Sequence, residues 1–154
     1  MRKETAYHQA MSHRLCLLLI DDNPADLLLA QEAFAEHEEW VSVSTCRDGE
    51  SALKHLRDPG RTLPDVVILD INMPQMNGFE VLRAIRADTE LRHLPVVMLT
   101  TSDSSQDIDQ AYDLFASSYM VKRGQFAAFV EQVDQFVQFW RDCRFKQSRV
   151  PRLS

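Results

Sequence analysis

Five polar side chains stand where apolar runs end. Asp21 and Asp22 follow Leu15–Ile20, Asp70 follows Val66–Leu69, Thr100 follows the run 96–99, and Lys122 follows Ser118–Val121. Each has a modest explanation taken alone: the first two aspartates could cap a helix, Asp70 before Ile71-Asn72-Met73-Pro74 could form a turn, Thr100-Thr101-Ser102 could cap a second helix, and Lys122 could be a surface lysine. Brought to one place, they make a more specific chemistry. Carboxylates crowded within a few ångströms of one another repel, and some take up protons unless a cation joins them. Hard oxygen ligands with room for water suit Mg²⁺, whereas no His/Cys set suggests zinc. With Mg²⁺ bound, one carboxylate can attack phosphorus and form an aspartyl phosphate. Lys122 would then neutralise phosphoryl oxygens as a point charge, and Thr100 could donate a hydrogen bond to them.

The surrounding pattern explains how distant segments could meet. Leu15–Ile20 is apolar without alternation, as in a strand covered on both faces. Asn23 and Pro24 then supply a cap and a first-turn proline for a helix that runs to about His37 through Leu27, Leu28, Ala30, Gln31 and Phe34. The cycle repeats: strand 41–45, helix 49–57, strand 66–69, helix 79–87, strand 96–99, helix 105–115, strand 118–121 and a long final helix. Such alternation implies right-handed crossovers and a parallel five-stranded α/β sheet with five helices on its two faces. All strands of a parallel sheet end on one edge, where ligands of such folds bind.

The 154 residues, 45% hydrophobic and 26% charged, suit one globular domain over 14–146, with an N-terminal extension at 1–13 and a basic tail at 147–154. The four glycines are too widely spaced for a Walker loop or a GxGxxG turn. A net charge of −6 argues against nucleic acid as a partner. The net +4 of residues 141–154 fits a helix C-terminus and a solvated tail. Cys16, Cys46 and Cys143 have no metal-binding spacing and fit a reducing cytoplasm. The longest apolar run, six residues, is too short to cross a membrane or serve as a signal core, so neither a membrane nor export is expected.

In combination and order these motifs closely resemble the receiver domain of two-component response regulators. The resemblance rests on Leu-Leu-Leu-Ile-Asp21-Asp22-Asn23, on Val-Val-Ile-Leu-Asp70-Ile-Asn72-Met73-Pro74 with Gly78 beyond, on Pro95-Val-Val-Met-Leu-Thr100-Thr101-Ser102, and on Ser118-Tyr119-Met-Val-Lys122. It spans residues 14–145 and implies a flavodoxin-like, doubly wound sheet of order 2-1-3-4-5. It also implies that Asp70 is the phosphoacceptor served by a sensor histidine kinase. Asp22 and Asp70 would bind Mg²⁺ directly, with the backbone carbonyl of Asn72 as third ligand and Asp21 acting through water. Thr100 and Tyr119 match the switch pair, and Lys122 the lysine of the family. Phosphorylation would be read out by the surface of the fourth helix, fifth strand and fifth helix, without enzymatic output beyond the chain's own phosphorylation and dephosphorylation. A relay intermediate or phosphate sink uses the same residues. A Mg²⁺-dependent phosphohydrolase fits less well, because Asn72 stands where haloacid-dehalogenase-like enzymes carry a second aspartate. A flavin carrier fits poorly too, since Asp21-Asp22 would repel the flavin phosphate.

Two positions depart from the family pattern. Arg123 follows the lysine where many receivers have proline, so a trans bond is expected there. Thr101 stands where a smaller residue is frequent, and Thr-Thr-Ser resembles a subgroup paired with phytochrome-type kinases. In the last helix, Phe126, Phe129, Val130, Val133, Phe136, Val137 and Trp140 form one stripe suited to the sheet. Phe139 and Phe145 fall outside it, and Gln132, Gln135 and Gln138 are assigned to the solvent side. Aromatics among uncharged polar residues suggest a homodimer interface. All output would leave through such surfaces to a downstream protein target, no DNA-binding or catalytic output domain being expected.

Overall fold

β1 (Leu15–Ile20) and β3 (Val66–Leu69) lie side by side inside a parallel sheet, and every side chain of β3 is buried. Both runs lack alternation because helices cover the two faces. β2 (Val41–Cys46) pairs with the outer side of β1, and β4 (Val96–Thr100) and β5 (Ser118–Val121) extend the sheet beyond β3, giving the order β2-β1-β3-β4-β5. The computed structural model describes residues 14–146, so the expected extension 1–13 and tail 147–154 lie outside the described residues.

Successive strand residues point to opposite faces and so feed two cores. Leu18 and Ile20 join Val67, Leu69 and Met98 beneath α2 (Gly49–Arg57) and α3 (Gly78–Ala87). Leu17 and Leu19 join Ile68 and Val97 beneath α1 (Pro24–Ala35) and α5 (Phe126–Arg141). Phe34 of α1 and Phe136 of α5 meet edge to face at 5.9 Å, which ties the two helices of that layer together. α4 (Ser105–Asp113) buries little beyond Ala111.

Local chemistry starts the helices as expected. The Asn23 side chain accepts from the Ala25 and Asp26 amides, Asp48 and Ser104 cap α2 and α4, and Asn77 with Glu80 forms a reciprocal capping box on α3. Arg86 of α3 binds the carbonyls of Arg92, Leu94 and Phe115, which fastens the approach to β4 and the end of α4 to one guanidinium. Phe115 turns the chain out of α4 at φ 64°, a left-handed conformation that glycine adopts more readily.

The last helix and the residues that follow it differ from expectation in three places. Gln132, assigned to solvent, is buried, because it borders the apolar stripe and its amide finds backbone partners. Phe126, assigned to the core, is 46% exposed at the first turn, where the helix has not yet reached over the sheet. Phe145, expected as an exposed ring, is half-buried and stacks on Trp140 at 6.0 Å. Phe139 is 63% exposed, as its position outside the stripe implies. The Lys122–Arg123 bond is trans. Among the described residues no helix is long and apolar enough to cross a membrane.

Phe136 joins α5 to both α1 and the sheet. Phe136→Ala is expected to lower unfolding free energy by about 3–5 kcal/mol through lost transfer energy and the cavity left behind. Urea denaturation checks this, and a loss under about 1 kcal/mol would show that the two helices are held otherwise.

Candidate functional site

Strand register builds the site. Ile20 lies opposite Cys46 on one side and Leu69 on the other, so Asp21 and Asp70, the next residues, emerge side by side. Their amides continue the ladder, Asp21 N–H to the Cys46 carbonyl at 3.1 Å and Asp70 N–H to the Ile20 carbonyl at 3.0 Å. Across the sheet, Thr100 pairs with Val121, and the Lys122 N–H donates to the Thr100 carbonyl at 2.7 Å. Asp21, Asp22 and Asp70 converge, each with a carboxylate oxygen within 4.8 Å of the others.

The loop after β3 is folded tightly enough to hold Asp70 from behind. Gly78, the first residue of α3, donates its N–H to the Ile71 carbonyl at 2.8 Å. A β-carbon at Gly78 would collide with the Asp70 carbonyl oxygen, so only glycine lets α3 begin this close. Gln75, at φ 67°, makes the reversal that brings the chain back. Asn72 is exposed in this loop, two residues beyond Asp70.

Charge is concentrated and poorly solvated here. Asp21 is almost wholly buried; its two oxygens accept from the Asn23 amide at 3.0 Å and from the Lys122 ammonium at 3.1 Å. Lys122 also reaches Asp26 of α1 at 3.3 Å. Burial pushes the Asp70 carboxyl above the usual carboxylate range, and the charge of Asp21 pushes it further, while Lys122 and the Thr100 hydroxyl pull the other way without prevailing. Burial disfavours the charged form of Lys122, but Asp21, Asp26 and Asp70 together outweigh it and hold the ammonium more firmly than in water.

Thr100 is fully buried at the end of β4. Tyr119 is half-buried, and its hydroxyl donates to the Ser102 carbonyl at 2.8 Å; burial raises its phenol above the ordinary value. The Ser102 hydroxyl in turn donates to Asp107 of α4 at 2.6 Å, so the loop after Thr100 is bonded to both β5 and α4. The sequence-derived residues Asp21, Asp22, Asp70, Thr100 and Lys122 therefore gather at one edge, with Tyr119 three residues before Lys122 on β5 and opposite Met98, whereas Phe139 and Phe145 lie on α5 and beyond it. Sequence reasoning missed Asp26 and Gln132. No local signal marks Asp26, which reads as a first-turn acid of α1 and meets Lys122 across 96 residues.

A carboxyl raised in the folded state binds its proton more tightly there than in the unfolded chain. Folding stability therefore falls as pH rises through the unfolded-state value of Asp70, and the cost is complete only above its higher folded-state value. Asp70→Asn is accordingly expected to raise Tm by a few degrees at pH 7 in chelator, to have no effect at a pH below both values, and to gain less when Mg²⁺ is in excess. Calorimetry across pH checks this; a lower Tm for the variant at pH 7 would contradict it.

The family model of the response regulator receiver domain matches residues 17–134. The chain is 37% identical over 127 residues to the probable methanogenesis regulatory protein FilR2 of Methanothrix harundinacea, covering 80% of this chain and 82% of that protein. It is 31% identical to the response regulator Rcp1 of Synechocystis, covering 80% and 87%, and the Mn²⁺-bound form of Rcp1 superposes with a TM-score of 0.78 over 85% of this chain and 98% of that one. The phosphorylated cyanobacterial phytochrome response regulator RcpA superposes with a TM-score of 0.82 at 34% identity, covering 88% of this chain and all of that one. With the sheet order 2-1-3-4-5 and the match over residues 17–134, the chain belongs to the response regulator receiver domain family of two-component systems.

Proposed function

We propose that Asp70 accepts a phosphoryl group from a sensor histidine kinase and that the chain passes the resulting state on by protein contact. The observation that carries this reading is the meeting of three carboxylates with one ammonium at the strand ends. In the transfer, an Asp70 carboxylate oxygen attacks phosphorus and forms the new O–P bond. The P–N bond to the kinase histidine breaks, and its electron pair stays on the imidazole nitrogen, which takes up a proton. Lys122 balances the charge that arrives on Asp70, and Thr100 offers its hydroxyl to a phosphoryl oxygen.

The donor set fits a divalent cation: three hard oxygen ligands close together, with Asp70 raised by burial and by its acidic neighbour. Mg²⁺, when bound, supplies the positive charge that screens the carboxylates and the phosphoryl oxygens. Asp22 and Asp70 would hold it directly, with the Asn72 carbonyl as a further ligand and Asp21 through water. The Mn²⁺-bound form of Rcp1 lends support to a divalent site.

Output is assigned to the face formed by α4, β5 and α5. It carries exposed Tyr112, Phe115, Val121 and Phe126, and Phe115 keeps an exposed ring at a backbone angle that favours glycine. When Thr100 moves toward the phosphoryl group, Tyr119 would leave the Ser102 carbonyl and turn inward, which alters this face. Likeness to the cyanobacterial phytochrome response regulator RcpA supports a phytochrome-type kinase as the donor. The exposed Phe139 on α5 supports a homodimer.

Incubation with Mg²⁺ and phosphoramidate should add one phosphoryl group by intact mass, and Asp70→Ala or chelation should abolish the gain. Steady hydrolysis of added phosphate esters without an adduct would instead identify a hydrolase. Sedimentation velocity should show a dimer that Phe139→Asp converts to monomer; a monomeric parent chain at high concentration, with and without a phosphoryl mimic, would remove the dimer from the reading.

A further inference from the structure

Gln132 is a buried amide on the core side of α5. It is 8% exposed and shares the lining of an apolar pocket with Leu99, Met120, Phe129 and Val133. An unpaired amide in such surroundings would be costly to desolvate. Both ends of this one are bonded, and to the two residues that flank Lys122. Nε2 donates to the Val121 carbonyl at 2.9 Å, and Oε1 accepts from the Arg123 N–H at 3.3 Å. Between them, the Lys122 N–H is bonded to the Thr100 carbonyl. The backbone at 121–123 is therefore held from the strand side by β4 and from the helix side by one glutamine.

The lysine ammonium sits at the end of four flexible methylenes, so its reach toward the acidic cluster depends on where that backbone is fixed. We infer that Gln132 is a positioning residue for Lys122, bracing the junction of β5 and α5 so that the ammonium is delivered to Asp21, Asp26 and the Asp70 side of the cluster. The brace needs an N–H at position 123, which arginine has and proline lacks. This inference rests on the reading that Asp70 takes up a phosphoryl group and Lys122 balances its charge.

The test measures the rate of adduct formation by intact mass, with Mg²⁺ and phosphoramidate, in Lys122 and Lys122→Ala backgrounds. Gln132→Leu is expected to slow the reaction roughly tenfold when Lys122 is present, in line with the sensitivity of transfer to small misplacements. In the Lys122→Ala background the same change should alter the rate less than about twofold, because residues that act as one unit are not additive. Gln132→Glu keeps the acceptor but, when ionised, loses the donor, and Arg123→Pro removes the partner of the acceptor. Both should slow the reaction by smaller factors, and they carry the test should Gln132→Leu fail to fold. The ¹⁵N signal of the Lys122 ammonium should move in all three. Equal slowing in the two backgrounds, or a folded Gln132→Leu with parent rate and an unmoved ammonium signal, would overturn the inference while leaving the phosphorylation reading standing. A parent chain that gains no phosphoryl group, or gains one after Asp70→Ala, would overturn that reading and the inference with it.

Discussion

Everything at the carboxyl edge of the sheet depends on an unbalanced encounter of charges. Three aspartates approach within 4.8 Å, and a single lysine from another strand meets one of them at 3.1 Å. The Lys122 side chain is 14% exposed and that of Asp21 5%, so neither charge is well hydrated. Burial, joined by the charge of Asp21 that one ammonium does not offset, leaves Asp70 with its proton more tightly held than usual. That residual imbalance makes the site receptive to a cation and gives the nucleophile proposed here its environment. The apolar strands matter because they impose the encounter: side chains that would separate in a flexible loop are fixed by ladder bonds on adjacent strands.

Much of this was legible in the sequence because the signals were local. Continuous apolar runs marked the buried strands, and Asn23-Pro24 marked the start of α1. The convergence of Asp21, Asp22, Asp70, Thr100 and Lys122 followed from one topological rule, that parallel strands end together. What was not legible was of another kind. Gln132 falls on the border of the α5 stripe, and periodicity alone cannot tell a buried amide with two backbone partners from a solvated one. Asp26 looked like an ordinary first-turn acid, which it also is, and its contact with Lys122 spans 96 residues. Phe145 follows the last turn of α5, where no helical period predicts that the ring folds back onto Trp140.

The backbone around the site is held as firmly as its side chains. Gly78 begins α3 against the Asp70 carbonyl, Ser102 ties the loop after β4 to Tyr119 and α4, and Arg86 fastens the far end of α4. These contacts join the acidic edge to the helices that pack beside it. In the switch proposed above, a displacement at Thr100 would pass through Ser102 and Tyr119 as a change of bonded partner, since close-packed interiors favour discrete rearrangements over gradual deformation.

The placement of Lys122 has a further consequence. The aspartates are borne by β1 and β3, interior strands paired on both sides, whereas the lysine is borne by β5, a four-residue edge strand paired only with β4. None of the β5 side chains is buried to the degree of those in β3. Local opening costs least where few apolar contacts are lost, so the strand that bears the base is less securely buried than the strands that bear the acids, and its side chain and backbone bonds matter the more for that. Acid and base components of one site thus stand on strands of unequal burial, the acids anchored in the interior of the sheet and the base at its edge.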